Sequence, residues 1–147
     1  NHDFYKRYLA SGGPNDERRE HFSASQAIDL VHDIGGVAVW SHPVVHFNGD
    51  VDALEKFLVK LVSWKIDGVE VFSPAHAEDD VEFLQGLARK YGLIATAGSD
   101  FHDAGKHLPN EQGLHSADTI GDFQNYGFST EDIVPRLMEA LKIRQGG

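Results

Sequence analysis

Three short apolar runs, each followed by an amphipathic helical segment, constrain this chain more than any other feature of its sequence. They are "VAVWS" from residue 37, "DGVEVFS" from residue 67 and "LIATAGS" from residue 93. Each is largely continuous rather than alternating, as expected for strands buried on both faces of a parallel sheet. The segments around them read as helices. "SASQAIDLVHDIGG" offers Ser23 or Ser25 as N-cap, an apolar stripe through Ala27, Ile28, Leu30, Val31 and Ile34, and Gly35-Gly36 as a stop. "DVDALEKFLVKLVSW" places Val51, Leu54, Phe57, Leu58, Leu61 and Val62 at helical spacing. "AEDDVEFLQGLARKYG" is acidic at its start and basic at its end, with Gly92 as C-cap. "STEDIVPRLMEALKIR" makes a last helix capped by Ser129 or Thr130, with Pro135 tolerated only if the helix begins late.

Helices alternating with single buried strands mean an α/β fold of parallel β/α units. Right-handed crossovers then give an open doubly wound sheet or part of a barrel. Ahead of these units, Phe4 to Leu9 shows a short helical pattern that "ASGGP" must break, and "NDERRE" reads as a solvated loop. The chain opens on Asn1 rather than Met, in what reads as the tail of a helix, so the expectation is a piece of a longer protein. Its 147 residues suffice for one core, and no repeat or low-complexity segment interrupts them.

Composition narrows the chemistry. A formal charge of −10 argues against broad attraction to nucleic acid or anionic membrane. A phosphorylated substrate would therefore need local positive charge, which a bound cation supplies. The chain has no cysteine, which excludes disulfides, thiolate zinc sites and cysteine nucleophiles and fits a cytoplasmic location. Nine histidines in an acidic, cysteine-free chain suit a divalent metal with N and O ligands. No stretch is long and apolar enough to span a bilayer, so no membrane partner is expected.

In parallel α/β folds, binding residues gather at the carboxyl ends of the strands. The three ends here are "WSHP", "EVFSPAH" and "AGSDFH", and each carries a histidine. Asp100 and His102, two apart, can point the same way off an extended segment and reach one cation or two adjacent ones. Gly98 permits a close backbone approach or a positive φ, and Phe101 is expected to face the core. Capping by Asp100 and a surface place for His102 remain equally open on spacing alone. His42 follows a buried strand, and Pro43 fixes the direction in which the chain leaves it. His76 suits a substrate phosphate or the surroundings of a metal, or is simply a loop histidine. Glu70 is either a buried acid of the site or the partner of a neighbouring strand's donor, and the second is the preferred reading. His46, His107 and His115 fall in polar loops with no assigned role. No Gly-rich phosphate cradle, nucleophile elbow or Ser-His-Asp arrangement is present.

"GGVAVWSHP", "DGVEVFSPAH", "ARKYGLIATAGSDFH" and the leading "FYKRYLASGGP" resemble the second half of the polymerase-and-histidinol-phosphatase (PHP) family. The nearest subgroup comprises bacterial metal-dependent phosphoesterases acting on nucleoside 3′,5′-bisphosphates and RNA 5′ ends. The resemblance implies a distorted (β/α)₇ barrel around two or three Mn, Zn or Fe ions. It implies His42, Asp100 and His102 as metal ligands, with His76 in a less certain, substrate-binding place. The His-x-His pair, aspartate, glutamate and further histidine with which such proteins begin are absent from these 147 residues. The expectation is therefore a C-terminal portion of one PHP domain: a helix tail and loop over 1–22, β/α units with strand-end ligands over 23–102, and a loop and helix over 103–147.

By itself the chain is expected to turn over little phosphate monoester, because three ligands cannot reproduce a multi-metal clamp, and its open sheet edges favour self-association. In the intact protein the partner would be a phosphorylated small molecule or a short RNA end. Two rivals stand beside this reading. One is a non-catalytic β/α assembly module with structural histidines. The other is an amidohydrolase-like C–N hydrolase, which would expect a lysine or a further histidine at a strand end.

Overall fold

The computed structural model describes residues 22–101 and 119–146. The expectations for residues 1–21 and for His102, His107 and His115 lie outside those residues. The element order is α1 (Ala24–Asp33), β1 (Val39–Trp40), a 3₁₀ turn (Pro43–His46), α2 (Val51–Ser63), β2 (Gly68–Phe72), α3 (Glu78–Tyr91), β3 (Ile94–Ala97) and α4 (Ile133–Gln145).

The three strands form one parallel sheet in the order β1-β2-β3. Trp40 stands opposite Val69, and Glu70 opposite Thr96. The register slips between Glu70 and Phe72, where Phe72 pairs with Ala97. Such an irregularity bends a strand and redirects its side chains. The parallel α/β arrangement expected from the sequence is present, and closure of a seven-stranded barrel goes beyond these three strands.

The helices begin and end where local chemistry directs them. Ser23 caps α1: its Oγ accepts from the Gln26 amide at 3.2 Å, and the Gln26 side chain accepts from the Ser23 amide at 2.9 Å. This reciprocal pair is worth about 1 kcal/mol. Asp50 caps α2 through the Ala53 amide at 2.9 Å. Gly92 ends α3 at φ 68°, a left-handed conformation that glycine adopts without a Cβ penalty.

The cap of α4 differs from the sequence expectation. It is Asp132, with no side-chain bond, rather than Ser129 or Thr130. Pro135 explains the shift. With the cap at Asp132, proline takes the third helical position, where its missing N–H has no intrahelical partner to lose. A start at Thr130 would put Pro135 two residues deeper, where an N–H is required.

β2 is buried along its whole length. Val69, Val71, Phe72, Leu54, Leu58 and Leu84 form the centre of the main core. A smaller cluster of Ile28, Ala38 and Leu61 packs under Trp40, Phe57 and Trp64. The ends of the strands carry different chemistry. At the amino ends, Asp67 accepts hydrogen bonds from the Ala38 amide (2.8 Å), His32 Nε2 (2.8 Å) and Arg144 Nη2 (2.7 Å). One carboxylate thus ties α1, the entry to β1, β2 and α4 together.

Candidate metal and phosphate-ester site

At the carboxyl ends the chain leaves two of the three strands, β1 and β3, in an unusual way. β1 ends at Trp40, and two residues later His42 adopts φ 32°, ψ 57°, in the left-handed region. Few non-glycine residues sit there, and the conformation costs on the order of 1–3 kcal/mol. Asp100, beyond the end of β3, also has a positive φ, of 50°. Two of the five described non-glycine residues with positive φ are thus residues singled out as ligands from the sequence. Strain of this kind concentrates at functional sites. The extended backbone expected at Asp100 is not what forms, because the chain turns at that residue.

The central strand supplies the connection. Glu70 is only 9% exposed, and its Oε2 accepts from the His42 amide at 2.6 Å. β1 has ended by then, so this amide has no strand partner, and burial without an acceptor would be costly. The other carboxylate oxygen lies against Gly98, where any Cβ would overlap it. Gly98 therefore serves close approach rather than positive φ. Of the two readings of Glu70, partner of a neighbouring strand's donor is the one seen, and it also lies among the strand-end histidines.

His76 closes the group. It is 2% exposed, and its Nδ1 lies 2.8 Å from the Val71 carbonyl oxygen. A carbonyl only accepts, so Nδ1 carries the proton and Nε2 presents a lone pair. Burial lowers the pKa of the imidazole, opposed by the Val71 contact and the negative charges of Glu70 and Asp80, with His42 lowering it further. A neutral ring with Nδ1–H on a backbone carbonyl and Nε2 free is the state in which histidine binds metal. Nε2 suits a cation or a hydroxyl donor better than a phosphate oxygen.

Two buried side-chain polar atoms among the described residues have no hydrogen-bond partner: His42 Nδ1 and His76 Nε2. Buried polar groups are nearly always satisfied. Both orphans are imidazole nitrogens at strand carboxyl ends, the donor chemistry that Zn, Mn or Fe takes. Among the described residues, no three His, Asp or Glu side chains stand together as a complete cation site. The structure thus brings His42, Glu70 and His76 into one neighbourhood and places Asp100 at the exit of the adjacent strand. His46, given no role from the sequence, is exposed, with its ring 5.4 Å from that of His42. A cleft of about 520 Å³ lies elsewhere, between α3, β3 and α4; it holds Arg89 and Arg136 but no histidine.

Comparison with known proteins gives this geometry a context. The chain is 36% identical over 104 residues to the 5′-3′ exoribonuclease Rnm of Salmonella typhimurium, covering 68% of this chain and 34% of that protein. It is 32% identical over 106 residues to a phosphoribosyl 1,2-cyclic phosphate 1,2-diphosphodiesterase of Eggerthella lenta (72% and 38%). It is 30% identical over 102 residues to a 3′,5′-nucleoside bisphosphate phosphatase of Chromobacterium violaceum (69% and 35%). This chain is a relative of phosphoesterases.

It spans little more than a third of the length of these curated relatives. No protein-family model matches it. In fold it is similar to a protein of Bifidobacterium adolescentis described as a metal-dependent phosphoesterase (TM-score 0.62, 19% identity, 95% of this chain and 44% of that one). It is also similar to an amidohydrolase from Chromobacterium violaceum solved with sulfate and no metal (TM-score 0.57, 24% identity, 97% and 44%). At such identities these two establish the fold alone. Among the described residues, no helix is long and apolar enough to cross a membrane.

Sequence reasoning weighed Glu70 as an acid of the site but preferred it as the partner of a neighbouring strand's donor, and named no partner. The signal was there: an acid inside an otherwise apolar, fully buried run requires a partner. Which partner depended on where β1 stops.

Proposed function

We propose that this phosphoesterase relative carries the C-terminal portion of a metal-dependent phosphate-monoester hydrolase of the PHP type. His42, Asp100 and His102 are its metal ligands, and His76 is the residue facing the bound ions and substrate. The single observation that carries this reading is the pair of buried, unpartnered imidazole nitrogens at the strand carboxyl ends. Relatives that all cleave phosphate esters support it. Nucleoside 3′,5′-bisphosphates or RNA 5′ ends are the proposed substrates.

His42 would offer Nδ1 and His76 would offer Nε2, each already stripped of water by burial. Asp100 would add negative charge from the β3 exit, and His102 a further imidazole. When bound, divalent cations offset charge on the phosphoryl oxygens and activate water for in-line attack. The chain's own groups hold that constellation and exclude solvent from its floor. His76 keeps its proton on Nδ1 through Val71, so its Nε2 remains available at neutral pH.

The remaining ligands and strands of the proposed barrel would come from residues like those that extend beyond the matched third of the relatives. An apolar groove of about 440 Å³ beside β1, lined by Ile28, Trp40, Phe47 and Phe57, is a surface such residues could cover. The same open edge supports self-association of the isolated chain. The amidohydrolase neighbour does not argue for C–N hydrolysis, because its likeness reaches only the fold.

The test is Mn²⁺-dependent phosphate release from a nucleoside 3′,5′-bisphosphate, by this chain alone and joined to the upstream segment of a relative. Turnover only in the joined protein, abolished by Asp100→Ala, is the expected result. No turnover in either with Mn²⁺, Zn²⁺ or Mg²⁺ overturns the substrate assignment.

A further inference from the structure

The geometry points to Glu70 as the positioning residue of the strand-end site. Its carboxylate holds His42 in the left-handed conformation and sets the β3 exit through Gly98, so that the His42 ring and Asp100 are presented together. This inference rests on the metal-site reading above and adds to it a residue that is not itself a ligand.

Five observations converge. Glu70 lies on the central strand, the one from which a side chain can reach both neighbours. On one side, its Oε2 receives the His42 amide at 2.6 Å, a short charge-assisted contact. That amide has left the sheet ladder, and a left-handed residue before proline has little else to hold it there. On the other side, the second oxygen occupies the space that a side chain at 98 would need. The register slip begins immediately after Glu70, where the ladder would otherwise continue regularly past the carboxylate. The charge of Glu70 also acts on His76, at the exit of its own strand. One buried acid is thus in contact with β1's exit and β3's exit, and electrostatically with β2's exit.

The chemistry explains why an acid stands there. The His42 amide needs an acceptor inside an apolar strand layer, and a carboxylate is a stronger acceptor than a neutral group. A glutamine supplies an acceptor of the same shape without the charge, whereas alanine supplies neither. A ligand role and a positioning role therefore separate in Glu70→Gln.

The experiment uses the full chain and four variants: Glu70→Ala, Glu70→Gln, Gly98→Ala and His42→Ala. Two quantities are read: amide hydrogen exchange at His42 by NMR, and Zn²⁺ affinity by calorimetry. Positioning predicts His42 exchange about tenfold faster in Glu70→Ala and Gly98→Ala, with Zn²⁺ affinity about tenfold weaker in both, as for residues that orient metal ligands. Glu70→Gln is expected to stay within about threefold of the parent on both, because it keeps the acceptor.

Unchanged His42 exchange in a folded Glu70→Ala overturns the proposal. So does a Glu70→Gln variant as weak in Zn²⁺ binding as Glu70→Ala, which would make Glu70 a ligand. If Glu70→Ala does not fold, Gly98→Ala decides: its added methyl overlaps the carboxylate, and unchanged His42 exchange there overturns the proposal. Failure of the metal reading looks different. In that case His42→Ala binds Zn²⁺ as tightly as the parent, while the exchange data still decide the clamp.

Discussion

The two ends of the sheet handle their polar groups in opposite ways. At the amino ends, Asp67 accepts from His32, Ala38 and Arg144 and fastens two helices and two strands together. At the carboxyl ends, two buried ring nitrogens go without partners, and His42 and Asp100 sit at positive φ. One end is a satisfied network. The other holds unsatisfied donor atoms and backbone strain, which a protein retains where a ligand compensates for them. In parallel α/β proteins this division recurs, with stability at one end of the strands and chemistry at the other. The same sheet core supports both ends, so they can be broken separately.

The largest expected effect lies at the satisfied end. Asp67→Ala should cost about 3 kcal/mol in urea unfolding, since it strands the Ala38 amide and the Arg144 guanidinium together. Its Zn²⁺ affinity should stay near that of the parent. A parallel loss of Zn²⁺ binding would show that the two ends are not independent.

Acid should act on this end next. Burial alone would raise the Asp67 pKa, but Arg144, the Ala38 amide and His32 more than offset it and hold the carboxyl below its ordinary range. A group depressed in the folded state binds its proton more readily when unfolded. Its stabilising contribution is therefore fully present above the unfolded value, about pH 3.9. It is lost as pH falls through the folded value. Urea midpoints measured from pH 6 downward should fall more steeply in the parent than in Asp67→Asn over that acidic range. Equal slopes would remove Asp67 from the acid response.

The strained end should respond in the opposite sense. His42→Gly relieves the left-handed backbone and removes an unpartnered ring nitrogen. Thermal stability should hold or rise by up to about 1 kcal/mol, while Zn²⁺ binding weakens. A clear loss of stability would mean that the His42 ring is structural, favouring the non-catalytic reading.

The smallest effect belongs to neither end. Lys90 Nζ and Tyr91 Oη both donate to Glu55 Oε1 at 2.7 Å, on the surface between α2 and α3. Exposed pairs of this kind contribute little. Lys90→Ala should move the melting temperature least of all these variants and leave Zn²⁺ affinity unchanged.

Much of this division was legible in the chain itself. Continuous apolar runs separated by amphipathic segments dictated parallel β/α units, because burial on both faces removes alternation and each crossover needs a helix. Ser23 and Gly92 marked helix ends by chemistry that is local to a few residues. A histidine at each strand end was equally plain, since strand polarity brings those ends to one side of the sheet. The cap at Asp132 was missed because competing Ser, Thr and Asp residues are locally equivalent, and the placement of Pro135 decides among them.

What only the tertiary structure decided is which groups meet across strands. Glu70 reaches the His42 amide 28 residues away because β1 stops one pairing short of it. Gly98 is glycine because of a carboxylate on the neighbouring strand, not because of its own turn. Asp67 meets Arg144, 77 positions away along the chain. Sequence periodicity reports what each segment buries, since burial follows from the repeat of a single element. Hydrogen-bond partners follow from register and from where a neighbouring strand ends, and those are set when the elements pack.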